Sequence, residues 1–405
     1  YVTTSRLDAL RKVIYGGYRS TDSDSEVVLK GSFIPMDAHS WGKSYDKGQG
    51  YNIADYTPIS DVSSDVVSTY EDATKSDYKE KIFFARVSDG YGTGDSNPPD
   101  SFSKLKVLRV KSAGNTQYIW NWVSKERPVA KNRIALNPGT TNTIENCGSV
   151  IDNEFNSDAS FPKENACGVT AAGNVTDYGV IHEFNTAVKV CVSGKAESNC
   201  TDYSGKKKPA GVIQTLGAQD KMLFGLITGT YSNNIRGGVL RAPIQSVSNE
   251  IASTTGKVAD TSKIIKTLNQ IVPVNFSYEK YIYGANSSFT SGGCGVWGSL
   301  VTNSLADYNG WCANWGNPVA EMVEESLRYF AGKNVNSAFT YSGNDGDQSI
   351  LKEMPAPQTW TNPFTGRTCN KAFNLIISDV NPNYDGDNFS DDLPGLGSVS
   401  TWTGN

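Results

Sequence analysis

The sequence has very little histidine and none of the common catalytic motifs. His39 and His182 are the only histidines among 405 residues, which excludes a histidine-rich metal centre and leaves little room for a Ser-His or Cys-His triad. The sequence contains no P-loop, no HExxH and no GxSxG pattern. It also lacks an apolar run of 18 residues, so no membrane-spanning helix is predicted. These absences favour a protein that is not an enzyme.

An excess of positive charge is also lacking. The 37 basic and 42 acidic residues give a net charge of −5. A weakly acidic chain is not suited to neutralising a phosphate backbone, so nucleic acid is not expected as a partner. Aromatic residues make up 11% of the chain, which excludes wholesale disorder. The length predicts two or three domains, or one domain with large insertions.

The seven cysteines are widely spaced and form no CxxC motif and no zinc-binding pattern with the histidines. In a chain rich in Tyr, Asn and Gly, this favours disulfides in an oxidising compartment, with buried free thiols as the alternative. The simplest pairing follows sequence order and leaves Cys369 unpaired in this chain. The predicted pairs are Cys147–Cys167, Cys191–Cys200 and Cys294–Cys312.

Two helices are predicted near the ends of the chain. Ser5 and Asp8 match a capping box and Gly16 is a stop signal, so a helix is predicted between them. A second helix is predicted with Asn317 as its N-cap and Pro318 at its first position. Between them the pattern is mostly β. Strands are predicted at residues 82–84, 106–110 and 188–192, a buried strand at 222–227, and a short helix within 260–270.

A short apolar strand is predicted at residues 373–377, directly before Asp379. An apolar strand that ends in a carboxylate is typical of a parallel α/β sheet with a site at the strand's carboxyl end. Asp385 and Asp387 follow in the same acidic loop, and several oxygen ligands on a flexible loop suit Ca²⁺ or Mg²⁺. The glutamate of an EF-hand is absent, which excludes that motif. A solvated acidic loop without a metal is the alternative.

Carbohydrate binding is a second possible function. Trp120 and Trp122 alternate along a predicted strand and could form a platform for a sugar ring, although such residues more often belong to a core. The 42 acidic residues also leave a pair of catalytic carboxylates open. The alternative function is therefore a secreted carbohydrate-active enzyme or a lectin-like module.

Short segments along nearly the whole chain carry a family resemblance. In the N-terminal half they are YGGYRSTD at 15–22, IPMDAHSWGK at 34–43 and YNIADYTP at 51–58. In the C-terminal half they are the cysteine segment at 188–200, KPAGVIQ at 208–214, FGLITGTY at 224–231, GGVLR at 237–241, the stretch from WGNP to RYFAGK at 315–333, and the stretch from CNKAF to SD at 369–379. In this order they resemble the PilC/PilY family of type IV pilus tip adhesins and biogenesis factors.

The resemblance implies an α/β fold, namely an incomplete von Willebrand A-like, doubly wound domain with a large β-rich insertion. Residues 1–17 would be its first helix, 18–310 the insertion with an internal boundary near 130–150, and 311–405 the remainder with an acidic tail. Asp379 would match the carboxylate of the family's metal-ion-dependent adhesion site. Asp385 and Asp387 are the further candidate ligands for Ca²⁺ or Mg²⁺. The site is incomplete, because the DxSxS strand and the C-terminal propeller are not found in this sequence.

The resemblance also implies an extracellular or cell-surface protein of the pilus tip that supports attachment, pilus assembly and motility. Its expected partners are minor pilins and the major pilin, a ligand on a host or abiotic surface, and the C-terminal propeller of the same protein. Because the chain begins with Tyr1, we expect a mature or trimmed piece of a longer exported protein. Cys369 would then pair outside this chain, or be a buried thiol.

Overall fold

The computed structural model of the chain describes part of its residues. The described residues are 4–32, 41–47, 50, 52–55, 57, 59–62, 78–87, 104–113, 169–170, 181–230, 236–271, 276–277, 282–283, 317–339, 347, 354–367, 369–378, 382 and 386. No helix in this part of the chain has both the length and the apolar character needed to cross a membrane.

Within these residues the chain forms four helices of the α type and fourteen strands. The helices are α1 (Arg6–Tyr15), α2 (Val212–Gly217), α3 (Ile264–Gln270) and α4 (Val319–Phe330). The strands are β1 (Arg19–Asp22), β2 (Val27–Lys30), β3 (Trp41–Tyr45), β4 (Tyr78–Val87), β5 (Lys104–Ala113), β6 (Val169–Thr170), β7 (Ile181–Asn185), β8 (Ala187–Val190), β9 (Cys200–Tyr203), β10 (Lys206–Pro209), β11 (Phe224–Thr228), β12 (Val239–Gln245), β13 (Phe276–Ser277) and β14 (Ile282–Tyr283).

The largest described sheet has five strands in the order β3-β4-β5-β7-β6. Its neighbours are antiparallel, except for β6 and β7, which run parallel. The predicted strands at 82–84 and 106–110 are confirmed as parts of β4 and β5. Alternate side chains point to one face and are buried there, as the period of two requires. The core on this face consists of Tyr45, Ile53, Ile59, Val62, Ile82, Phe84, Leu105 and Val107.

Helix α1 begins at the predicted capping box. Ser5 Oγ accepts a hydrogen bond from Asp8 N at 3.0 Å, and the Asp8 carboxylate accepts one from Ser5 N at 2.8 Å. The helix ends at Gly16, where φ is +92° and a Cβ would lie 2.4 Å from Pro209 O, so only glycine fits. The last residue, Tyr15, enters a second core. That core consists of Tyr15, Ile213, Ala242, Ile251, Ile264, Ile265 and Leu268.

Two buried arginines join α1 to distant parts of the chain. Arg11 donates to three main-chain carbonyls at the C-terminal end of α3, each at 2.9 Å. Arg86, on β4, donates to Ser32 O at 2.5 Å and lies 3.6 Å from the Asp8 carboxylate. Burial lowers the pKa of Arg86 to about 10, although Asp8 opposes this shift. Charge-assisted hydrogen bonds from Arg11 therefore fix the N-terminal helix against α3, and the ion pair between Asp8 and Arg86 links it to the five-stranded sheet.

The predicted strand at 222–227 is present but is not buried. Strand β11 begins at Phe224 and pairs with β12, and most of its side chains are half-buried while Met222 is exposed. In the described residues β11 and β12 form a two-stranded sheet, so β11 has a described neighbour along only one of its edges. The continuous apolar run predicted a strand that is buried on both faces. Such burial requires elements that pack against both faces, and edge pairing with β12 alone does not provide them.

Two predictions near the C-terminus are wrong. Pro318, rather than Asn317, is the N-cap of α4, and the Asn317 side chain instead donates to Ser378 Oγ at 3.0 Å. Residues 373–377 form no described strand and are exposed. Their apolar run predicted burial, but every side chain of this segment is exposed.

Candidate functional site

Most of the predicted site residues lie outside the described residues. This holds for the three candidate metal ligands Asp379, Asp385 and Asp387. It also holds for Cys147, Cys167, Cys294 and Cys312. Binding of Ca²⁺ or Mg²⁺ and two of the three disulfides therefore stay predictions.

Cys191 and Cys200 form a disulfide, the pair that sequence order predicts. The S–S distance is 2.07 Å, and the bond closes the loop between β8 and β9. Inside the loop, Glu197 accepts a hydrogen bond from Cys191 N at 2.9 Å, and its carboxylate lies 3.2 Å from Cys200 Sγ. These three side chains are close enough to resemble a metal site. Because the two sulfurs are bonded to each other, neither can act as a thiolate ligand. The disulfide therefore serves to hold an exposed loop closed.

Cys369 is a free and exposed thiol. The sequence left it without a partner in this chain and allowed two outcomes, a partner elsewhere or a buried thiol. Its exposure contradicts the second outcome. The thiol is therefore accessible to reagents, which makes it a useful probe of the segment that follows it.

The acidic turn at residues 22–24 binds basic side chains. Asp22 accepts from Lys208 Nζ at 2.8 Å, from Arg19 at 2.9 Å and from Val258 N at 2.9 Å. Burial opposes ionisation of Asp22, but Arg19 and the hydrogen bonds from Lys208 and Val258 outweigh it and lower the pKa. Asp24 is exposed, and hydrogen bonds from two lysines, Lys206 and Lys257, lower its pKa to about 2. The protein's own cations therefore occupy both carboxylates.

A buried acidic face on α4 was missed by sequence reasoning. Glu321, Glu324 and Glu325 are all buried. Glu321 accepts from Gly237 N at 2.7 Å, and Glu325 accepts from Asn336 N at 3.0 Å. Burial raises the pKa of Glu325 to about 8, and the neighbouring Glu324 and Glu321 add to the rise. The fold thus buries carboxyl groups that would face solvent on an ordinary amphipathic helix.

The only available sequence signal for this face was its spacing. Positions 321, 324 and 325 follow the i, i+3, i+4 pattern of one helix face, which is the pattern that normally identifies apolar contacts. Because the three residues are glutamates, the same spacing indicated a solvated face that complements the helix dipole. The aliphatic residues of α4 and Phe330, in contrast, are only half-buried, while Tyr329 is buried.

A second surface lies beside α4 and consists of residues 371–378, called here the apolar segment. Every residue in it is exposed. Asn374 Nδ2 donates to Ser326 Oγ on α4 at 2.7 Å, and Ser378 Oγ accepts from Asn317 at 3.0 Å. Sequence patterns did not reveal this exposure, because four large apolar residues in five positions indicate a core strand. An exposed apolar surface of this kind suits contact with protein.

Comparisons with known proteins identify relatives of this chain. One family model, "PilY1 homolog, small alpha/beta domain", matches residues 1–85, and another, "PilY1 homolog, second domain", matches residues 224–403. The chain is 32% identical over 420 aligned positions to the Type IV pilus biogenesis factor PilY1 homolog of Xylella fastidiosa (strain Temecula1 / ATCC 700964). The match covers 98% of this chain and 23% of that relative, so the chain spans about a quarter of the relative's length. No solved structure matches the chain.

Proposed function

Since this chain belongs to a PilY1-related family, we propose that it is part of a type IV pilus biogenesis factor that works at the cell surface or the pilus tip. The observation that carries the proposal is the match to the Xylella fastidiosa relative, which runs through 98% of this chain. A match of that extent includes α1, the sheets and α4 together. The proposal therefore concerns the whole chain rather than one motif.

The described structure supports the export of this chain. The Cys191–Cys200 disulfide closes an exposed loop. Disulfides of this kind persist in oxidising compartments and are rare in the cytosol. The proposed location outside the cytoplasm is therefore consistent with the chemistry of the loop.

We further propose a binding role rather than catalysis. The role has two parts, attachment to a host or abiotic surface and assembly of the pilus with its minor and major pilins, and motility depends on both. Among the described residues, the apolar segment beside α4 offers a surface for protein contacts, and the charged groups near Asp22 are already paired with each other. The von Willebrand A-like arrangement and the site at Asp379 are sequence predictions that belong to this proposal.

An in-frame deletion tests the proposal. In the bacterium that carries the gene, the codons for residues 1–405 are removed from the full-length gene, and the strain is compared with a whole-gene deletion and with the complemented strain. We expect sheared surface pili and twitching zones to fall to the level of the whole-gene deletion, while an epitope-tagged remnant is still exported.

Attachment is then measured per unit of surface pilin, which separates adhesion from assembly. A lower value after correction for pilus number supports an adhesive role for this region. Normal surface pili, normal attachment and normal twitching in both deletion strains would count against the proposed function as a whole.

A further inference from the structure

The Cys191–Cys200 disulfide has a carboxylate against one of its sulfurs. Glu197 Oε2 lies 3.2 Å from Cys200 Sγ and accepts a hydrogen bond from Cys191 N at 2.9 Å. The main chain adds a second link, because Cys200 N donates to Glu197 O at 3.0 Å. Among the described residues, no lysine or arginine forms an ion pair with Glu197. An unneutralised carboxylate is therefore held beside the disulfide from both ends of the loop.

The loop that carries this disulfide is open to solvent. Most of residues 192–198 are exposed, and the two cysteines are half-buried. A disulfide is reduced or exchanged when a thiolate attacks one of its sulfurs, at a rate that depends on access and on the stability of the leaving thiolate. Access alone does not shield a half-buried bond at the surface, so the charge next to the sulfurs becomes the controlling local factor.

The Glu197 carboxylate opposes attack on either sulfur. A thiolate that approaches Cys200 Sγ comes close to Glu197, and the two negative charges repel each other. A thiolate that attacks Cys191 Sγ instead expels Cys200 as a thiolate, and this new negative charge forms beside the same carboxylate. A leaving thiolate that is destabilised leaves more slowly. Both routes are therefore slowed by one side chain.

We propose that Glu197 protects the Cys191–Cys200 disulfide against reduction and exchange by anionic thiolates. In the step that it slows, the thiolate forms a bond to Cys200 Sγ, the bond between the two cysteines breaks, and its electron pair leaves on Cys191 Sγ, which takes a proton from water. A second thiolate then releases Cys200, so that two thiols are oxidised to a disulfide and the protein disulfide is reduced. Glu197 itself forms no covalent bond in this step.

The chain itself carries a thiol of the attacking kind. Cys369 is free and exposed, so the Cys369 thiolate of one copy can meet the loop of a second copy. Exchange would join Cys369 to Cys200 between the two copies and leave Cys191 as a free thiol. By slowing this exchange, Glu197 keeps the loop closed and prevents covalent cross-linking of the protein through its own cysteines.

Reduction kinetics test the proposal on the oxidised full-length protein that contains this chain. Glu197→Gln removes the charge and keeps an oxygen that can accept from Cys191 N. Samples are quenched with acid and alkylated, and mass spectrometry of the peptides that contain Cys191 and Cys200 follows this bond alone. We expect Glu197→Gln to speed reduction by glutathione about fivefold, which corresponds to removing the repulsion of two charges about 4 Å apart in water.

The charge of the thiol and the salt concentration separate protection by charge from a structural role of Glu197. Cysteamine carries an ammonium group that offsets its thiolate, so its rate should change by less than about twofold. In about 1 M salt the acceleration with glutathione should also fall below about twofold, because the charges are screened. Glu26→Gln, at an exposed carboxylate paired with Lys189, is the matched control and should change neither rate by more than about twofold. An acceleration that is equal for both thiols and persists in salt would show a loosened loop and overturn the proposal, as would an unchanged rate.

Cross-linking tests the part of the proposal that concerns Cys369. In concentrated Glu197→Gln protein, non-reducing peptide mapping should detect a Cys369–Cys200 bond that forms several times faster than in wild type. The double variant with Cys369→Ser should form none. Equal rates in wild type and Glu197→Gln, or no such bond in Glu197→Gln, would overturn the role given to Cys369. Because all these rates are measured on purified protein without pili, a failure of the proposed pilus role leaves them intact, and the reverse also holds.

Discussion

Replacing Glu325 with glutamine should make the protein more stable at neutral pH, and this gain should vanish in acid. The Glu325 side chain is fully buried on α4, and its carboxylate accepts a hydrogen bond from Asn336 N at 3.0 Å. Burial raises its pKa from 4.5 to about 8, and repulsion from Glu324 adds to the rise. The hydrogen bond from Asn336 and the charge of Arg328 act in the other direction and are outweighed.

The sign of the effect follows from proton linkage. Below pH 4.5 the Glu325 carboxyl is protonated in the folded and the unfolded chain alike, and its full contribution to stability is present. As the pH rises from 4.5 to about 8, the folded protein keeps a proton that the unfolded chain releases, so the free energy of unfolding decreases. Each pH unit in this window costs about 1.4 kcal/mol, which amounts to about 3 kcal/mol by pH 7 and about 5 kcal/mol above pH 8.

Glutamine keeps the oxygen that accepts from Asn336 and carries no charge. Glu325→Gln should therefore recover most of this loss, a gain of about 3 kcal/mol at pH 7 and almost none at pH 4. Urea denaturation from pH 4 to pH 8 measures the gain. Tryptophan fluorescence reports on this region, because Trp360 contacts Tyr329 of α4 with ring centroids 5.7 Å apart.

The matched control is Glu26→Gln. Glu26 is exposed and pairs with the exposed Lys189, so its removal should change stability by less than about 1 kcal/mol at any pH in this range. If wild type and Glu325→Gln lose stability with the same slope between pH 5 and pH 8, the charge of Glu325 does not control this region and the reasoning is refuted.

Three further substitutions test the fold. Cys191→Ser removes the disulfide to Cys200 and should lower stability by about 2–3 kcal/mol, measured as a lower urea midpoint than that of the oxidised wild type. Gly16→Ala should destabilise the chain by about 2 kcal/mol more than Gly194→Ala in thermal unfolding. Both positions have positive φ, but only at Gly16 does an added Cβ meet a carbonyl oxygen, so equal losses would contradict the steric argument. Arg11→Met leaves three main-chain carbonyls without their donor, one buried and two partly buried, and should cost about 3 kcal/mol in the same assay. A loss below about 1 kcal/mol would show that these bonds are dispensable.

Several features were predictable because their causes are local. The capping box at Ser5 and Asp8 needs only residues three positions apart, and the structure confirms it. Cys191 and Cys200 are close in sequence, and they pair across one short loop. The relation to the PilY1 homologs is also confirmed, because an ordered set of short segments is a property of the sequence itself.

The candidate surfaces beside α4 were not predictable in the same way. The glutamates of α4 have the composition of a solvated face, and only Gly237 and Asn336, brought close by the fold, reveal that Glu321 and Glu325 are buried. Residues 373–377 have the composition of a core strand, and only the tertiary structure shows them open. Spacing predicts which side chains share a face, but it carries no information on what covers that face.

The scarcity of histidine, the absence of catalytic motifs and the family relation were decided by the sequence alone. They are the basis of the proposal that the protein binds rather than catalyses. The tertiary structure decided which of the described side chains are buried and which are exposed to solvent. Burial depends on contacts between residues far apart in the chain, as between Arg11 and the end of α3 or between Asn374 and Ser326. For that reason the apolar run at residues 373–377 is exposed and the glutamate face of α4 is buried, although their compositions predicted the opposite.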